Sequence, residues 1–125
     1  SFPAISSASV GGQPLTNFTN FSAEKAMSAY QNTRDAAYKI IKSKGSTYYG
    51  IASVTARLVD AILRDERAIF PVSFPLHHYY DQNGVALSVP CVIGRGGVEE
   101  IIEIKLNWEE KQQLAKSAET LKKYL

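Results

Sequence analysis

A chain of 125 residues, 45% hydrophobic and 21% charged, has the size and make-up of a single globular domain over 1–125, which excludes a disordered or fibrous architecture. Its 14 basic and 12 acidic residues leave a net charge of +2 and are interspersed, so no basic stripe marks a nucleic-acid partner. No apolar run approaches the roughly 18 residues of a membrane span, and a single cysteine, Cys91, closes no internal disulfide; a cytoplasmic location is expected, with no membrane partner.

The chain opens on Ser1-Phe2-Pro3-Ala4-Ile5, already apolar and without an initiator methionine, and reads as the interior of a longer polypeptide. Residues 2–10 predict a strand, and Gly11-Gly12-Gln13-Pro14 a turn. Two sequons, Asn17-Phe18-Thr19 and Asn20-Phe21-Ser22, matter only in a secreted chain and are read as chance. Ser22 is placed to cap a helix over 23–44, a stretch free of Pro and Gly in which Met27, Tyr30, Ala37 and Ile41 recur at helical steps. Lys42 and Lys44 suit its carbonyl end, and Gly45 terminates it.

A second helix is expected to begin around Ser46 or Thr47, either of which can cap it. Its apolar stripe, Ile51, Val54, Leu58 and Ile62, is expected to be buried, and the charged cluster Arg64-Asp65-Glu66-Arg67 closes it. Ala68 to Ser73 is short, apolar and interrupted by Pro71, the pattern of an edge strand. Asp81-Gln82-Asn83-Gly84 offers an Asn-Gly pair to supply the positive φ angles of a turn into a buried strand over 85–93. Gly94-Arg95-Gly96-Gly97 separates that strand from 98–106, where Ile102, Ile104 and Leu106 alternate with Glu103 and Lys105, so the two strands should form a hairpin. Asn107 and Glu110 have capping-box spacing, and Leu114, Ala118, Leu121 and Leu125 give a terminal helix one apolar face. Strands and helices do not alternate as βαβ units, so the class is α+β, antiparallel strands packed with long helices.

Most candidate chemistry dissolves on inspection. Gly94-Arg95-Gly96-Gly97 is a turn, because a dinucleotide loop needs glycine where Glu99 stands and a helix where a strand follows. His77 and His78, beside Tyr79, Tyr80 and Asp81, have the residue types of a metal or acid/base cluster. They lack a second ligand set and an activated nucleophile, so they read as an exposed loop, and no metal is expected. Glu99, Glu100 and Glu103 read as the solvated face of a strand, and Cys91 packs within its apolar run. The stretch Lys44-Gly45-Ser46-Thr47-Tyr48-Tyr49-Gly50-Ile51 stands apart. A hydroxyl at a helix entrance, beside unpaired backbone N–H groups, serves either as a cap or as a contact for a small anionic or carbonyl-bearing ligand.

Ala36-Ala37-Tyr38-Lys39-Ile40-Ile41-Lys42-Ser43-Lys44-Gly45-Ser46-Thr47 resembles the stretch that lines the substrate pocket of L-lactate dehydrogenases. Ser1-Phe2-Pro3 through Gly11-Gly12 is similar to the segment that follows the catalytic His-Gly-Asp motif of that family. Ser88 to Gly94, with Gly97-Val98, resembles its late hairpin, and Ser117 to Lys122 its terminal helix, so the resemblance covers essentially the whole chain. It implies the C-terminal, substrate-binding domain of the lactate/malate dehydrogenase family.

By that resemblance Thr47 contacts the substrate, Ile51 packs beside the nicotinamide ring, and Tyr38 matches a tyrosine phosphorylated in some members. On its residues alone Tyr38 reads as a partly packed helix position. A threonine in this Lys-Gly-x-Thr setting is not usual in the related malate dehydrogenases, which favours lactate. The parent enzyme implied is a tetrameric, NAD-dependent oxidoreductase of glycolysis and fermentation that interconverts pyruvate and L-lactate. Its proton-donating His, orienting Asp, substrate-gripping Arg residues and nucleotide loop all align upstream of Ser1, in an N-terminal Rossmann half that is the expected partner. The chain alone is therefore expected to hold no catalytic residue, to bind no NAD and to be inactive. The alternatives are another L-2-hydroxy acid dehydrogenase, of hydroxyisocaproate or malate type, and a non-catalytic folding or assembly module.

Overall fold

The computed structural model describes residues 2–125; Ser1, at the head of the opening stretch, lies outside them. Two compact units are present, one over Pro3–Thr55 and the other over Ala56–Leu125 together with Phe2.

In the first unit the strand expected over 2–10 is reduced to two residues. Ile5–Ser7 is a 3-10 turn, and only β1 (Ser9–Val10) pairs, antiparallel, with β2 (Gln13–Pro14). Gly11 and Gly12 take φ 58° and 80°, the two consecutive positive angles of a tight hairpin turn, which non-glycine residues adopt at a cost. α1 spans Ala23–Lys44, as its caps predict. The Ser22 hydroxyl accepts the Lys25 N–H at 3.1 Å, and Gly45, at φ 81°, donates its N–H to the Ile41 carbonyl. No described residue of α1 is buried.

α2 runs over Tyr49–Leu63, starting later than expected. Its apolar stripe is graded rather than buried: Ile51 and Val54 are 64% and 59% exposed, Leu58 and Ile62 are half-buried, and Ala61 alone is fully covered. The helix ends in a Schellman motif, the Glu66 N–H reaching the Ala61 carbonyl and the Asp65 N–H that of Ile62. Asp65 holds the left-handed position, φ 53°, that glycine usually fills. Its carboxylate accepts the Arg95 N–H at 2.8 Å, a contact that glycine cannot make.

In the second unit β3 (Ala68–Pro75), β4 (Ala86–Gly94) and β5 (Gly97–Ile101) form an antiparallel sheet in the order β3-β4-β5, with Pro71 on an edge strand as its chemistry requires. On β4 the buried Val89, Cys91 and Ile93 alternate with more exposed neighbours, so one face of the sheet is covered. Arg95-Gly96 is the turn between Gly94 and Gly97. A Cβ at Gly94 would meet the Glu99 carboxylate, which is ion-paired to Arg67 at 3.2 Å; Glu99 is thus not simply solvated.

The turn after β3 differs from expectation. Tyr79 bridges to Gln82, and Tyr80 and Asp81 supply the positive φ angles, 48° and 61°, while Asn83 is absent from that role and only Gly84 of the Asn-Gly pair has φ above zero. The reason is a set of local bonds: the Asn83 side-chain oxygen is occupied by the His78 N–H at 2.8 Å.

The strand expected over 98–106 leaves the ladder after Ile101, and the cause is on its neighbour. Ile102 N–H donates to Pro90 O at 2.8 Å, but Pro90 has no N–H to return. The Tyr79 hydroxyl donates to Ile102 O instead and accepts the Ile104 N–H. The Tyr80 hydroxyl does the same for Ile104 O, at 2.7 Å, and the Leu106 N–H.

α3, Trp108–Lys122, begins with the predicted capping box, Asn107 accepting from the Glu110 N–H and Glu110 from the Asn107 N–H, both at 2.9 Å. Leu114 and Ala118 are buried, but Leu121, in the last turn, and Leu125, past the helix end at Lys122, are exposed, so only the first part of the expected apolar face is covered. Asn107→Ala removes one of these reciprocal bonds and should cost about 1 kcal/mol, read as a lower urea midpoint with unchanged m-value.

Candidate functional site

Gly45 ends α1 because its left-handed backbone turns the chain away, and the next three residues, Ser46, Thr47 and Tyr48, form an exposed link to α2. The first α2 bond runs from the Ala52 N–H to the Tyr48 carbonyl, so Tyr48 occupies the cap position and Thr47 precedes it. Thr47 is therefore not the helix cap. Its hydroxyl makes no hydrogen bond among the described residues, and its side chain is exposed.

The opening amides of α2 have no partner four residues back, and no acidic residue occupies its first turn. This leaves the partial positive charge of the helix start uncompensated by its own sequence, a setting that favours a carboxylate or a polarised carbonyl. Ile51 stands one turn after Thr47, an exposed apolar side chain suited to lie against a flat apolar ring and keep water from it. The Tyr48 and Tyr49 rings meet at 4.8 Å between centroids, tilted by 58°, and both are exposed at the same entrance. Sequence reasoning passed over this pair; the signal was the aromatic doublet directly after the threonine.

Thr47 and Ile51 thus share one helix entrance. Tyr38 lies back along α1, 72% exposed and without a ring contact, so its packed reading gives way to a surface position. Elsewhere, His77 and His78 are exposed, and among the described residues no group of three His, Cys, Asp or Glu side chains is placed to hold a metal. Cys91 is buried, and burial pushes its thiol above the ordinary value, which disfavours the reactive thiolate. No helix is long and apolar enough to cross a membrane among the described residues.

Residues 1–125 match the family described as lactate/malate dehydrogenase, alpha/beta C-terminal domain. Among curated relatives, L-lactate dehydrogenase 1 of Listeria innocua is 46% identical over 125 residues, covering 99% of this chain and 40% of its own length. L-lactate dehydrogenase of Halalkalibacterium halodurans is 44% identical over 120 residues, covering 96% and 38%. A lactate dehydrogenase from a Medee basin deep-sea metagenome library superposes with TM-score 0.90 at 37% identity, over 98% of this chain and 40% of that one. The malate dehydrogenase of Aeropyrum pernix does so at 0.87 and 36%, with the same coverage. The chain spans about 40% of the length of the relatives it matches.

Proposed function

The chain belongs to the lactate/malate dehydrogenase C-terminal domain family, and from that premise we propose that it forms the substrate-side wall of an NAD-dependent L-lactate dehydrogenase. The observation that carries this reading is the free, exposed Thr47 hydroxyl beside the start of α2, whose first turn holds no acidic residue, with Ile51 one turn away. Thr47 donates to the carboxylate or carbonyl of a small 2-oxo acid, and Ile51 forms the apolar side of the nicotinamide site.

The bound nicotinamide cofactor would supply the hydride chemistry, the reduced form giving a hydride to the oxo acid and the oxidised form taking it from the hydroxy acid. The residues present suit only its reactive end: Ile51 offers an apolar surface for the ring, whereas the glycine-rich stretch at 94–97 is a hairpin turn and cradles no phosphate. Proton donation, carboxylate clamping and pyrophosphate binding fall to a nucleotide-binding partner half, and residues 1–125 alone are inactive in this reading. The enzyme so assembled is a cytoplasmic homotetramer that interconverts pyruvate and L-lactate in glycolysis and fermentation.

The test is turnover of a panel of 2-oxo acids with NADH by the full-length polypeptide that carries these residues. Pyruvate is expected to be preferred; preference for a branched-chain oxo acid or for oxaloacetate overturns the lactate assignment. The likeness to a malate dehydrogenase makes the second of these the competing reading. Turnover by residues 1–125 alone would overturn the division of labour. Thr47→Val, which keeps the shape and removes the hydroxyl, should lower kcat/KM for pyruvate about tenfold, the worth of one hydrogen bond. An unchanged kcat/KM removes Thr47 from the site.

A further inference from the structure

The geometry points to Asn83 as a site of spontaneous covalent modification: we infer that it deamidates through a cyclic imide formed with the backbone nitrogen of Gly84. The chain has five asparagines, at 17, 20, 32, 83 and 107, followed by Phe, Phe, Thr, Gly and Trp. Ring closure needs the next residue's backbone nitrogen to reach the side-chain carbonyl carbon, and a side chain on that residue obstructs it. Gly84 alone has none, and the space where its Cβ would stand is open.

The loop adds a second cause. The His78 N–H donates to Asn83 Oδ1 at 2.8 Å, aimed at the oxygen on which negative charge develops when the nitrogen attacks. The departing amide is held weakly, Asn83 Nδ2 donating to Asp81 O at 3.4 Å, and the Gly84 N–H makes only a long bond, 3.3 Å, to Leu76 O. Asn83 and Gly84 are both exposed, so water and hydroxide reach them.

The reaction is a balanced hydrolysis. Hydroxide removes the Gly84 amide proton, the nitrogen bonds to Asn83 Cγ, and the Cγ–Nδ2 bond breaks as ammonia leaves with a proton from water. Water then opens the imide at either carbonyl, giving aspartate or its isoaspartyl isomer. The product carboxylate cannot donate to Asp81 O. The isoaspartyl form also lengthens the backbone next to Val85, whose carbonyl accepts the Leu76 N–H at 2.8 Å and whose side chain is buried.

Asn107 is the built-in control. Its side-chain oxygen also accepts a backbone N–H, from Glu110 at 2.9 Å, but Trp108 follows it. The experiment holds the folded full-length chain in mildly alkaline buffer and follows each asparagine peptide by mass, with isoaspartyl methyltransferase labelling of the product. Asn83 should convert on the order of tenfold faster than any other asparagine, or more, and its product should take the label; Asn83→Gln should abolish both signals. Similar rates at all five positions, an intact Asn83 beside a converted neighbour, or conversion without an isoaspartyl product each overturn the assignment.

Discussion

Leu76→Ala is expected to lower the unfolding free energy by about 2–5 kcal/mol, measured as the shift of the urea transition of the whole chain. Leu76 follows β3 and is wholly inaccessible to solvent, and with Cys91 it is the largest side chain so enclosed. Both of its backbone groups are committed, the N–H to Val85 O and the carbonyl to the Gly84 N–H, so the site is poorly able to collapse around the missing methyl groups. Cavity formation then adds to the lost transfer energy. A loss below about 1 kcal/mol would mean that the surroundings relax into the gap, contrary to a core held in place by the short Leu76–Val85 bond.

Replacing Tyr79 and Tyr80 together by Phe should cost about 2–4 kcal/mol. Each hydroxyl satisfies one carbonyl and one N–H of the stretch 102–106, which has left the sheet and has no strand partner there. Phenylalanine keeps the edge-to-face ring pair, with centroids 5.5 Å apart, and an aromatic face for Lys111, so the loss isolates the hydroxyls. The loss is modest because the freed groups are only partly buried and water can reach some of them. Amide exchange of Ile104 and Leu106 should accelerate in the double variant; unchanged exchange there would show that the hydroxyl bonds do not hold the segment.

Tyr79 also carries a pH signature. Burial raises its phenol above the ordinary value of 10.0, against the opposing pull of the Ile104 N–H. The unfolded chain then gives up this proton at lower pH than the folded one. The contribution is full below the unfolded value and is lost as pH rises above it toward the folded value. Tyr79→Phe alone should flatten that part of the alkaline stability profile; a profile identical to that of the unaltered chain would contradict it.

What proved readable without coordinates shares one property: its cause lies within a few residues along the chain. Ser22, Gly45 and the Asn107–Glu110 box set helix ends by bonds of three or four residues' reach, and the hairpin at Arg95-Gly96 is fixed by flanking glycines and alternation. Thr47 and Ile51 were singled out by resemblance, since local chemistry left Ser46 and Thr47 equally able to cap the helix, a position that the chain gives to Tyr48, and periodicity placed Ile51 in a stripe expected to be buried.

Sequence alone determined the α+β class, both ends of α1, the start of α3 and the family, because each rests on local hydrogen bonding or on long, ordered likeness. Only tertiary structure decided that β5 departs after Ile101, since the missing donor belongs to Pro90 on another strand and its replacement to Tyr79 in the loop between β3 and β4. It also decided that the stripe of α2 is open at Ile51 and Val54 and half-covered at Leu58 and Ile62. An apolar pattern states which face water disfavours, but whether that face is covered depends on what distant parts of the chain bring to it.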